Sequence, residues 1–96
     1  MIKLICEAIF QKKVIQFYYD GELRIVEPHC YGITTAGNQG LRAYQIDGYS
    51  SSGNYGWKMY DLGKAVNIEM LTNHFFNIRD GYKRSDKGMS RIYCEI

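Results

Sequence analysis

The chain has little of what catalytic, metal-binding and membrane-bound proteins depend on. Its 96 residues include one proline, Pro28, two histidines, His29 and His74, and three cysteines, Cys6, Cys30 and Cys94. No CxxC occurs, and the neighbouring His29 and Cys30 lack the second spaced pair that would complete a zinc site. An odd number of widely spaced cysteines points to three reduced, buried thiols in a cytosolic protein. No apolar run approaches the roughly 18 to 20 residues that span a bilayer. MIKLICEAIFQKK has no apolar core followed by a small-residue cleavage site. These absences predict a cytoplasmic protein with no membrane contact, metal or cofactor. The net charge of +2 is too small for a general nucleic-acid footprint.

A catalytic centre is equally hard to find. A nucleophilic Cys or Ser needs a nearby base oriented by a third group. Cys30 follows His29, but neighbours on a strand point to opposite faces. Ser50, Ser51 and Ser52 lack the strained G-x-S-x-G turn. No convergent acidic pair is visible. The expectation is a binding protein, not an enzyme.

What the chain does have is length for one small core and nine tyrosines. Tyrosines favour sheets, core edges and binding faces, because a buried ring still needs a partner for its hydroxyl. Ile2, Ile5 and Ile9 recur at helical spacing, with Cys6 and Ala8 widening the stripe, so 1–12 reads as a helix closed by Gln11, Lys12 and Lys13. Val14 to Tyr19 switches to period two. Asp20-Gly21 follows, a strong signal for a tight hairpin, and Leu23 to Glu27 returns. Pro28 marks an edge, a bulge or a strand end. His29 to Ile33 stay extended, and TAGNQG (35–40) is a hairpin loop. Leu41–Gly48 and Trp57–Leu62 read as a third and a fourth strand. Gly63-Lys64-Ala65 reads as a tight turn or a 3₁₀ piece, and Val66 to Leu71 as a fifth strand. Short, sequentially paired strands suggest a small barrel over 14–71. In 72–96, Phe75 and Phe76 look like an apolar anchor and Ile92–Ile96 like an edge strand; the rest is charged and irregular.

The residues Ala8-Ile9, then VIQFYYDGELRIVEP, then WKMYDLGKAVNIEML resemble the WYL domain family over roughly 4–71. Arg24, Pro28, Lys58, Tyr60, Leu62 and Lys64 fall on its motif positions. The naming triplet is replaced by Leu41-Arg42-Ala43-Tyr44. Lys58 and Lys64 stand where arginines are usual, which keeps the charge but loses the two-point fork. Typical members carry a helix-turn-helix upstream that these residues do not contain. Together with the tail GYKRSDKGMSRIYC, this resembles the small stand-alone members of bacteria and phages. The resemblance implies a mainly β fold with one N-terminal helix, an Sm-like, SH3-type five-stranded antiparallel barrel. It also implies a sensor of nucleotides or nucleic-acid fragments in regulation, DNA-damage response or phage defence.

On that basis the candidate ligand-binding residues are Arg24, His29, Arg42, Tyr44, Gln45, Ser51, Trp57, Lys58 and Lys64. Cations would take a phosphate and Tyr44 or Trp57 a base ring. Five of them have a plainer reading. Arg42 could pair with Asp61 or Glu27, and Trp57 could anchor the core. His29 could be a hydrogen-bonded edge residue, Gln45 a sheet-surface group, and Ser51 part of a flexible loop rather than an anion nest. If Ile46 points inward, Arg42 and Tyr44 do too. The 79–91 tail is a second candidate surface, either solvated or lying across a second copy of the chain. Two functions follow: a nucleotide or short-oligonucleotide binder, or a protein-interaction module such as an Sm-like subunit or an inhibitor docking on a partner. Binding of single strands through aromatics is a third, weakened by the near-neutral charge.

Overall fold

The computed structural model describes residues 2–96. The helix forms as its stripe requires: α1 (Ile2–Gln11) buries Ile5, Ala8 and Ile9. It stops at Lys12, whose left-handed φ of 52° turns the chain into β1 (Lys13–Tyr19). Asp20 and Gly21 have φ of 52° and 77°. Those two positive angles make the hairpin turn that Asp-Gly encodes and lead into β2 (Glu22–Thr34).

β2 organises the sheet. It continues through Pro28 because the strand bulges there: Pro28 pairs with Ala43 and Cys30 with Arg42, leaving His29 as the extra residue. Along one side it pairs with β3 (Gln39–Gly48). Along the other, its first half pairs with β1 and its second half with β6 (Met89–Glu95). Gly32 makes the second pairing possible, since a Cβ there would run into the backbone of Arg91 and Ile92. β4 (Gly56–Asp61) extends the sheet beyond β3, and a 3₁₀ turn over Leu62–Lys64 is capped by the Asp61 carboxylate on the Gly63 N–H. β5 (Ala65–His74) then returns to β1, not to β4. The result is one six-stranded antiparallel sheet, ordered β4-β3-β2-β1-β5 with β6 on β2. Its ends, β4 and β5, do not pair with each other, so the sheet is not closed.

One face of the sheet and α1 enclose the core, which includes Ile15, Phe17, Val26, Tyr31, Leu41 and Leu62. Phe17, Tyr19 and Tyr60 meet edge to face within it.

Two expectations need correction. Cys6 and Cys94 are joined by a disulfide that ties α1 to β6, and only Cys30 is free and buried. The 88-residue separation hid that pairing. The 72–96 stretch is also more ordered than its sequence suggests. β5 runs to His74, β6 forms a full strand, and the segment between them crosses the sheet's outer face as a bonded strap. No helix among the described residues is long and apolar enough to cross a membrane.

Candidate anion-binding cleft

The site begins with alternation. On β3, Leu41, Ala43 and Gln45 are buried toward the core, so Arg42 and Tyr44 project from the opposite face. Register places Met59 beside Arg42 and Trp57 beside Tyr44 on that outer face. Ile46 shares their face, so the condition that would have turned Arg42 and Tyr44 toward the core is not met.

The strap, 75–88, closes over this face through polar contacts. The Trp57 Nε1–H donates to the Asp80 carbonyl at 2.7 Å. Arg79 lies over the Tyr44 ring at 4.5 Å and donates to both carboxylate oxygens of Glu27 at 2.6 and 3.0 Å. Arg42 grips Asp86 at two points. Its hydrogen bond holds the Asp86 carboxyl below the ordinary 3.8. Neither predicted partner of Arg42 is used: Glu27 takes Arg79, and Asp61 caps the 3₁₀ turn.

Beneath the strap lies an aromatic cluster centred on the bulge. The His29 ring stacks on Phe75 at 5.2 Å and meets Trp57 and Tyr82 at 4.7 and 5.1 Å. Its Nδ1 donates to the Glu27 carbonyl at 2.8 Å, so the neutral ring leaves Nε2 as an unpartnered acceptor. Burial pushes its pKa below 6.5. Fully buried, His29 packs behind Trp57 and Tyr82 and does not reach the surface of the site.

Between sheet and strap opens a cleft of about 440 Å³, lined by Arg42 and Trp57 from the sheet and by residues 81–87 of the strap. That volume lies within the range of small-molecule sites. Trp57 and Tyr82 stand nearly parallel, 24° apart with centroids at 6.0 Å. Four cations, Arg42, Lys83, Arg84 and Lys87, face two carboxylates: Asp86 on Arg42, and Glu95 at 3.1 Å from Arg84. Lys83 and Lys87 have no ion pair among the described residues. The cleft therefore carries local positive charge that the net charge conceals.

Of the residues the sequence suggested, only Arg42 and Trp57 line this cleft, with Tyr44 and His29 supporting it from behind. The others lie elsewhere. Arg24 is buried between the Tyr19 and Tyr49 rings at 5.3 Å from each, its Nη2 donating to the Tyr19 carbonyl. Gln45 is buried and donates to the Asp47 and Tyr49 carbonyls. Lys58 reaches the hydroxyls of Ser50 and Ser52 at 3.3 Å, Ser51 is exposed in that loop, and Lys64 is exposed in the 3₁₀ turn. Tyr82, Lys83, Arg84 and Lys87 were missed as site residues individually. Their signal was the cation-rich run after Gly81-Tyr82, which the sequence offered only as a secondary surface.

A small mainly β protein with a cation-lined, ring-walled cleft is the class that fold and site define. No family model, no curated protein and no solved structure matches the chain.

Proposed function

We propose that this protein binds a nucleotide or short oligonucleotide in the cleft, and that it senses or sequesters that ligand without reacting with it. The reading rests on one observation: the stacked rings of Trp57 and Tyr82 line a single concavity together with Arg42, Lys83, Arg84 and Lys87. A ring surface beside cations suits a base joined to phosphate.

The same reading takes the chain as a WYL-like module, acting in the cytoplasm in phage defence or counter-defence. It takes the sheet as an opened relative of the SH3-type barrel. Supporting this are the strand order, the 3₁₀ turn between β4 and β5, and the return of β5 to β1.

The test is thermal shift against cyclic and linear nucleotides and short single strands. A true ligand at 100 times its dissociation constant adds about 2.7 kcal/mol. No shift with any of them, in a folded sample, removes the proposal.

A second reading, docking on a protein partner or on a second copy, is favoured by Phe76, Phe10 and Val66, which are 86%, 68% and 58% exposed. β6 also has an unpaired outer edge among the described residues, where its one partner strand is β2. A concentration-dependent mass in solution would support it; a monomer at all concentrations would count against self-association.

A further inference from the structure

The rim of the cleft is held by the last residues of the chain. Glu95 accepts the Ser85 backbone N–H at 2.9 Å on one carboxylate oxygen and meets Arg84 at 3.1 Å with the other. The Tyr82 hydroxyl donates to the Ile96 carbonyl at 3.1 Å, and the Ile96 N–H donates to the His29 carbonyl at 2.9 Å. Ser85 has a φ of 57°, which serine seldom adopts, so neighbouring contacts must hold the turn in place. Directly before Glu95 stands Cys94, bonded to Cys6 on α1. β6 has one neighbouring strand, and the disulfide is its covalent anchor to the helix.

We infer that the Cys6–Cys94 disulfide is a redox control on the cleft: reducing it frees the end of β6, loosens the hold of Glu95 on Arg84 and Ser85, and weakens anion binding. The ligand half of this rests on the anion reading proposed above; the rim half stands on its own. The physical reason is preorganisation, because cations and amides that must be ordered on binding cost affinity. The regulatory role rests likewise on the cytoplasmic setting proposed above, where a protein disulfide is characteristically transient and redox-sensing.

The step balances with a dithiol as reductant. Its thiolate attacks one sulfur of the bridge, forms a mixed disulfide and expels the other sulfur as thiolate. Its second thiol then closes an internal disulfide and releases the remaining cysteine. Two electrons and two protons pass to Cys6 and Cys94, and the dithiol ends oxidised. Cys6 is half-buried and Cys94 buried, so Cys6 is the more open end. Cys30 stands apart. Burial, with Glu95 and Asp86 nearby, pushes its thiol up to about 12, so it stays protonated and unreactive.

The experiment compares the full chain, oxidised and after dithiothreitol, by amide hydrogen exchange and by binding of inorganic pyrophosphate. Reduction is expected to speed exchange at Ser85 by about tenfold relative to the core amides of Phe17 and Val26. Pyrophosphate binding is expected to weaken by about fivefold. Cys6→Ser should reproduce both effects without reductant, and Cys30→Ser neither. Unchanged Ser85 exchange, or an equal rise at Phe17 and Val26, overturns the inference. So does a loosened rim with unaltered affinity in a chain that binds. If the oxidised chain does not bind pyrophosphate, the ligand half of the inference is overturned and the anion reading loses its support, while Ser85 exchange still decides whether the bridge holds the rim.

Discussion

Arg42 on β3 and Asp86 in the strap meet at two points, Nε to Oδ2 at 2.7 Å and Nη2 to Oδ1 at 3.3 Å, and so fasten the sheet to the segment that crosses it. The same Asp86 carboxylate accepts the Gly88 N–H at 2.8 Å, which shapes the turn into β6. Arg42→Ala should therefore do two things. It should lower stability by about 1 kcal/mol, since the pair is only partly shielded. It should also reduce nucleotide-induced thermal shift. Chemical denaturation and thermal shift separate the two effects.

Lys83 and Lys87 line the cleft without ion pairs among the described residues, so removing them should cost little stability. The double variant Lys83→Ala/Lys87→Ala is expected to melt within about 0.5 kcal/mol of the parent. It should lose nucleotide affinity, and the slope of log affinity against log salt should flatten. Retained affinity with an unchanged salt slope would move the ligand elsewhere.

Glu27 is 4% exposed and both its oxygens are occupied by Arg79. Arg79→Ala leaves that carboxylate buried and unpaired. The expected loss is about 2 kcal/mol, below the value for a fully buried pair because Arg79 itself is partly exposed. Glu27→Gln on the same background should recover part of it. Denaturant midpoints measure both.

Two titrations predict the pH dependence. Burial lowers the pKa of His29 below 6.5, so the unfolded chain binds its proton more readily. The His29 contribution is complete well above pH 6.5 and is lost as pH falls through the folded-state value. Asp86 acts lower: its contribution is present above 3.8 and is lost as pH falls further. Melting temperature should decline in two stages on acidification. His29→Phe, which keeps a ring against Phe75, should abolish the first stage only.

Gly32→Ala tests the β2–β6 contact. The added Cβ meets backbone rather than a mobile side chain. A loss of about 2 to 3 kcal/mol is expected. Exchange protection should fall along β6 more than along β1.

Much of the framework was legible because it is local. Asp20-Gly21 fixed a turn, period two marked the strands, and Pro28 marked an irregularity that could have been an edge, a bulge or a strand end. Which strands become neighbours was not legible. Nothing in Val66 to Leu71 states that β5 pairs with β1. The face of Arg42 hung on which way Ile46 points, and alternation alone leaves that open; Leu41, Ala43 and Gln45 are the inward residues. The strap was unreadable for a different reason. It is held by single long-range contacts, Trp57 to Asp80, Arg42 to Asp86 and Tyr82 to Ile96, which leave no periodic trace. Cys6 and Cys94 met only through the placement of α1 beside β6.

The bulge at His29 also sets the phase of β2. Before it, Val26 and Pro28 face inward; after it, Tyr31 does, although an uninterrupted strand would turn Tyr31 away. Straightening the bulge with His29 kept in the ladder would invert everything downstream, sending Tyr31 outward and Cys30 inward, whereas a chain lacking His29 would run as a regular strand in the present phase. One residue thus keeps two unlike surfaces, a greasy interior and a charged exterior, in step along a single strand.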